Sequence, residues 1–362
     1  MSYLILSIII IEISCLYGHL KKKDKLTKGV HWFFYLIICF CLCLFAGIRT
    51  KYNDTVSYII SFSNTPKDFS SLFLQEFSIS EVYLFKIWNY IIYNFISQNE
   101  NVYLFLCAIV FVCPAIYLIK KYSKNFTFSM ILFMFGGMYL FSLAGLKQAM
   151  ATGIILIGLP HLFKREYIKY YIYCLLAIGF HAYSIFFLLV PLLSGEVLNK
   201  RMIIFCILTI SIGVLLSQFS GVISAIIEWL GKDISAGTIQ SGSVNILRVA
   251  IFLVPFVLTV VGRKNLEQAT EEEKWFVKIG ILSTMFMVLS LFGNPILFGR
   301  IPQYFIIGIV VSMPLLIQKA FAKNDQPAVV FIFVICYILF GIYGLYKDGA
   351  FARDIFGLIW FQ

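Results

Sequence analysis

Apolar runs of roughly 17–20 residues recur along the whole chain, separated by short polar turns where Lys and Arg gather. A run of that length makes a helix long enough to cross the hydrocarbon core of a bilayer. A string of them points to a polytopic helical membrane protein. Composition agrees, since 60% of the residues are hydrophobic and 13% charged, more apolar surface than one soluble core can hide. The expected fold class is all-α and membrane-embedded, with about 12 transmembrane helices in a single integral membrane domain over residues 1–362.

The positive-inside rule orients these runs. The first, about 3–17, has no basic segment before it and no small-residue cleavage site after it, so it reads as a retained span. Lys21-Lys22-Lys23-Asp24-Lys25 follows and is expected in the cytoplasm. The segment 81–97 sets Lys86, Trp88, Asn89 and Asn94 among aromatic residues and is expected to be interfacial or re-entrant. If it crossed, every later loop would change sides. Residues 170–180 and 183–193 are short apolar runs that meet at His181. As two spans they leave Asn199-Lys200-Arg201 inside, and as one span outside; charge favours two. In this layout about two-thirds of the Lys and Arg fall on the cytoplasmic side. The net charge of +11 therefore serves topology, and basic residues scattered between apolar runs imply no nucleic-acid partner. The nine cysteines all lie in apolar segments without CxxC spacing and read as packing residues. Glu12, inside the first run, is an intramembrane acid expected to pair within the bundle.

Several polar residues break the pattern by sitting against membrane segments at the expected outer face. They are Arg49, Asp54, Lys147, Gln148, His181, Arg248, Arg300, Gln303 and Tyr304. At about 1.5 Å per residue, the stretch from Lys147 to His181 is long enough to descend through a membrane and return. Both ends then lie on one side. Arg and Lys gathered at one face suit a dense anion such as a diphosphate, Arg through forked hydrogen bonds and Lys as a point charge. His181, at a helix break, can exchange a proton near neutral pH, and Asp54 can orient it or take the proton itself. Arg300 and Tyr304, four residues apart, are expected on one helix face. Plainer readings stand beside these. An Arg at a span end, Arg248 above all, can be a snorkelling anchor. Asp54 can be a solvated loop carboxylate, and His181 a hydrogen bonder between helices. His19, His31 and His161 fall near cytoplasmic ends and read as interfacial. No DxD-like motif or histidine cluster offers a metal site, so no metal or other cofactor is expected.

In order, Gly47-Ile48-Arg49, Asn53-Asp54-Thr55 and Tyr58, then Gly145-Leu146-Lys147-Gln148-Ala149-Met150-Ala151, then Phe180-His181-Ala182-Tyr183-Ser184, then Arg300-Ile301-Pro302-Gln303-Tyr304-Phe305 resembles the EpsG-like group of Wzy-type polysaccharide polymerases. The likeness runs over nearly the full length and rests on the order and spacing of short motifs. Lys147 departs from it, standing where the family usually has Arg; the charge is kept and the bidentate fork is lost. The resemblance implies a GT-C-like, multi-pass protein of the bacterial cytoplasmic membrane whose active site faces the periplasm or exterior. It implies a metal-independent glycosyltransferase that joins undecaprenyl-diphosphate-linked oligosaccharide repeat units for O-antigen (lipopolysaccharide), capsule or exopolysaccharide synthesis. Its expected partners are the lipid-linked donor and acceptor, membrane lipid and a chain-length regulator. His181 and Asp54 would be catalytic, while Arg49, Lys147, Gln148, Arg248, Arg300, Gln303 and Tyr304 would bind diphosphate or sugar. Two other functions remain open. An O-antigen ligase would use the same donor but usually has a large outer loop, and 47–80 is modest. A lipid-linked oligosaccharide flippase would line a cavity open to both sides with basic residues, whereas here they gather at one face.

Overall fold

The computed structural model describes residues 1–23, 27–73, 82–218, 244–292, 299–351 and 354–358, all helical or irregular apart from an isolated bridge between Arg49 and Leu358. Helix α1 (Ser2–Lys22) is followed by α2 (Lys28–Gly47), whose start is capped by the Thr27 side chain. Helix α5 (Glu100–Tyr122) is capped in the same way by Asn99 and runs antiparallel to α2. Two ends establish that direction. Gly47 lies so close to α5 that a Cβ there would come within 2.9 Å of Phe105 Cβ. At the other end the Lys120 ammonium sits 4.7 Å over the Trp32 ring, and Tyr35 donates to the Cys113 carbonyl at 3.1 Å. The chain between α2 and α5 therefore leaves and re-enters at one end of the bundle.

That intervening stretch carries α3 (Thr55–Ser63) and α4 (Tyr83–Ile91), which continues into a π-helical turn (Ile92–Ile96). Over its described part, 82–97, the ambiguous segment does not cross. It lays Phe85 and Ile92 on a second, smaller core with Phe62, Tyr103, Leu104, Leu146 and Met150.

Among the described residues six helices are long and apolar enough to cross a membrane. They are α1, α2, α5, α8 (Leu146–Phe163), α13 (Pro302–Ala320) and α14 (Gln326–Lys347). A seventh span results if α6 (Phe126–Phe135) and α7 (Met138–Ala144), bent by 40° at Gly136-Gly137, count as one. This is fewer than the sequence led us to expect. The shorter apolar helices explain much of the difference: α9 (Tyr167–Phe180), the segment Ala182–Leu193 and α11 (Ile246–Val261) fall below spanning length.

The chain reverses at His181. Tyr170 of α9 donates to the Phe187 carbonyl at 2.9 Å, a pair that a straight helix would hold about 25 Å apart. Residues 182–193 form a 3-10 helix, and its steeper rise lets 12 residues run about 24 Å, close to the roughly 21 Å of the 14-residue α9. The two make a hairpin, and Lys200 and Arg201, opening α10 (Lys200–Gln218), return beside Arg165 and Tyr167 to line one cavity. Helix α12 (Glu271–Leu289) meets α13 backbone to backbone, where a Cβ on Gly308 would fall 2.2 Å from the Gly280 nitrogen. At the lysine-rich end, Lys274 pairs with Glu196 at 2.8 Å and Lys124 with Glu273.

Among the described residues Glu12 finds no partner within the bundle. It shares the outward face of α1 with Ile5, Ile8, Ile9 and Leu16, as the helical period requires, and has no ion-pair or hydrogen-bond partner among the described residues.

Candidate active site

The ends of α3, α8, α9 and α13 converge opposite the lysine-rich end. Pro302 opens α13, because a residue with fixed φ and no amide hydrogen fits a first helical turn. Arg300 consequently precedes the helix. The expected Arg300/Tyr304 face is not formed, and the two side chains serve different partners. The Arg300 guanidinium reaches the Asp54 carboxylate at 3.9 Å, both side chains about half exposed. Its carbonyl accepts from the Gln148 amide at 2.8 Å, and Gln148 is buried in the first turn of α8. Tyr304 is fully buried with its hydroxyl 2.7 Å from His181 Nδ1, and Ser184 Oγ lies 3.5 Å from the same hydroxyl. Gln303 is buried as well, and its Oε1 finds no hydrogen-bond partner among the described residues.

Sequence reasoning missed Tyr58 and Tyr183 as site residues. Burial and the Asp54 carboxylate push the Tyr58 phenol above its ordinary pKa, while backbone groups of Lys147 and Leu146 and the Arg300 charge pull the other way. Tyr58 thus touches the start of α8, where amide hydrogens lack helical partners. The Arg300 charge also acts on Tyr183, whose ring meets His181 edge-on at 5.2 Å between centroids. Lys147 stands in the same turn of α8 as Gln148, its ammonium 5.2 Å over the Phe85 ring of α4. Helix α4 closes this side of the site, with Leu84 against Gly179 and Trp88 against Phe180.

Two of the expected anion ligands, Arg49 and Arg248, take no part in these contacts. Arg49 is 1% exposed and its guanidinium is enclosed: Nε donates to Thr55 at 3.2 Å, Nη2 to the Leu143 carbonyl at 3.1 Å and Nη1 to the Ala46 carbonyl. Leu143 and Ala46 lie in the last turns of α7 and α2, where carbonyls lack helical partners and a cation is favoured. Arg49 therefore caps two helices beneath the site. Burial lowers its pKa to about 10. Arg248 is half-buried one turn into α11 and forms no side-chain hydrogen bond or ion pair with a described residue.

Asp54 follows a strained turn. Tyr52 and Asn53 have φ of 105° and 45°, a conformation that costs on the order of 1–3 kcal/mol per residue away from glycine. The C-terminal segment holds it there. Thr50 and Lys51 amides donate to the Phe356 carbonyl at 3.0 and 2.9 Å, and Tyr52 stacks on Phe356 at 4.8 Å and donates to Asp348 at 3.3 Å. The Asp354 carboxylate accepts from the amides of Phe356 and Leu358, which shapes the strap. No spacing rule in the sequence linked residues 348–358 to residues 49–53.

The arrangement combines two cationic side chains, a helix start, a paired carboxylate and an oriented imidazole at one end of a membrane-type bundle. It can hold an anion and move a proton next to it. Among the described residues no group of three or more His, Cys, Asp or Glu could hold a metal ion. These features define a helical, membrane-type protein with a polar site at one end of its bundle. The chain belongs to the EpsG family, whose model matches residues 32–356. No curated protein and no solved structure matches the chain.

Proposed function

We propose that the protein polymerises undecaprenyl-diphosphate-linked oligosaccharide repeat units by glycosyl transfer at the outer face of the cytoplasmic membrane. The observation that carries this reading is the joining of the Arg300–Asp54 pair to the His181–Tyr304 pair at one end of the bundle. Membership of the EpsG family supports it, as does the concentration of Lys and Arg at the opposite end, which under the positive-inside rule favours a cytoplasmic position for that end.

In the reaction, an acceptor hydroxyl oxygen bonds to the anomeric carbon of the donor sugar. The bond from that carbon to the diphosphate breaks, and its electron pair leaves with the diphosphate. Arg300, Lys147 and the α8 start stabilise the charge on the leaving group, with Arg248 a further ligand. His181 takes the hydroxyl proton at Nε2 when its Nδ1–H donates to Tyr304. Asp54 holds Arg300 in place, Gln303 accepts a sugar hydroxyl, and Gln148 fixes the Arg300 backbone. Arg49 acts from below, through the helix ends it caps. None of these roles calls for a metal ion.

The test uses purified protein and a synthetic lipid-diphosphate-linked repeat unit, with EDTA present. Free lipid diphosphate released in step with each new glycosidic bond is expected. Transfer of the intact lipid across proteoliposomes without any new bond would contradict the proposal and indicate a flippase.

A further inference from the structure

A polar cavity of about 700 Å³ opens beside the site, lined by Lys51, Tyr52, Asn53, Lys347, Asp348, Asp354 and Ile355. Its walls come from the strained turn before Asp54, the end of α14 and the C-terminal strap. Asn53 on its rim is the chain neighbour of Asp54, so whatever fills the cavity lies next to the Arg300–Asp54 pair.

The lining differs in kind from the neighbouring site. Arg300 and Lys147 give that site an excess of positive charge. The cavity sets two lysines against two aspartates and adds an asparagine and a tyrosine hydroxyl. A charge-balanced set of donors and acceptors has little to offer a diphosphate, but it matches the alternating donors and acceptors of sugar hydroxyls. The volume suits a ligand of about two or three sugar rings. Strain supplies an independent reason to regard the turn as functional. Tyr52 and Asn53 are kept at positive φ by stacking, by the Tyr52–Asp348 hydrogen bond and by the strap, and outliers so over-determined gather at ligand sites. The strap itself requires glycine at its turn. Gly357 has φ of 57°, and a Cβ there would lie 2.4 Å from Thr50 Oγ1.

We infer that this cavity is a saccharide subsite, which grips sugars of the repeat unit one or more rings away from the reacting bond. The inference rests on the polymerase reading and deepens it. Binding sugars here holds the chain in line with Asp54 and His181, so the subsite acts on substrate affinity and leaves the chemistry to the neighbouring residues.

The probe is the free oligosaccharide released by mild acid from the lipid-linked repeat unit of the cells that make the protein. Full-length protein is compared with K51A/K347A, with D348N and with R300A. Lys51 and Lys347 are exposed, so their truncation leaves the fold intact, and D348N keeps the size and the acceptor oxygen facing Tyr52. Wild type and R300A are expected to bind the free oligosaccharide alike, and the cavity variants at least tenfold more weakly. In elongation assays the cavity variants should raise KM about tenfold with kcat nearly unchanged, while inhibition by inorganic pyrophosphate stays at the wild-type level. Unchanged glycan binding and KM in folded cavity variants of an elongating protein would overturn the subsite alone. A wild-type protein that neither binds the glycan nor elongates would overturn the polymerase reading with it.

Discussion

His181 lies at a chain reversal with its Nδ1 fixed by Tyr304, and that single contact separates an oriented base from a histidine that merely fills a helix break. Y304F keeps the ring and removes the hydroxyl. It should lower kcat about tenfold or more while leaving binding of inorganic pyrophosphate intact, and H181A should lower it by about 10²–10⁴. Full activity in Y304F would remove Tyr304 from the account. Arg49 makes the opposite case. Its charge and its place after an apolar run were legible in the sequence, and they fit an anion ligand as well as a helix cap. Only its burial and its three donor contacts distinguish the two. R49K cannot reproduce three directional donors, and it should destabilise the fold by at least about 2 kcal/mol, read as a lower thermal midpoint in detergent. An unchanged midpoint with weakened pyrophosphate binding would restore Arg49 to the anion site.

At the level of elements, the turn at His181, the return of Lys147 and His181 to one end, and the non-crossing 82–97 segment could all be read from periodicity and charge. The 3-10 form of 182–193 could not, because an apolar run, here broken only by Ser184 and Pro191, has much the same appearance in either kind of helix. The sequence also put Arg300 on a helix that Pro302 starts two residues later. The strap was hidden for a different reason: residues 354–358 (Asp354-Ile355-Phe356-Gly357-Leu358) are too few to show a period, and their contacts with 49–52 are set by tertiary packing. The α12–α13 contact shows how tightly the elements are fixed. G308V would force apart two backbones that touch at Gly280, and overpacking of this kind typically costs about 1–3 kcal/mol. A marked fall in thermal midpoint is expected, and no change would mean the helices can separate freely.

For the molecule as a whole, the bundle has two unlike ends. One carries the lysine-rich turns and their pairs with Glu196 and Glu273; the other carries Asp54, His181 and Arg300. In a variant freed of native cysteines, a cysteine replacing Lys51 should react with an impermeant maleimide on intact cells, and one replacing Lys164 only after permeabilisation. The reverse pattern would turn the site towards the cytoplasm. The central claim is that the residues joined around Arg300 and His181 carry out chain extension. The most direct measurement is the length distribution of products made from a lipid-diphosphate-linked repeat unit by wild type, H181A and R300A, each shown to be folded. A ladder of lengthened products from wild type, absent from both variants, is the expected result. A ladder that persists in folded H181A and R300A would place the chemistry elsewhere in the chain and contradict the account.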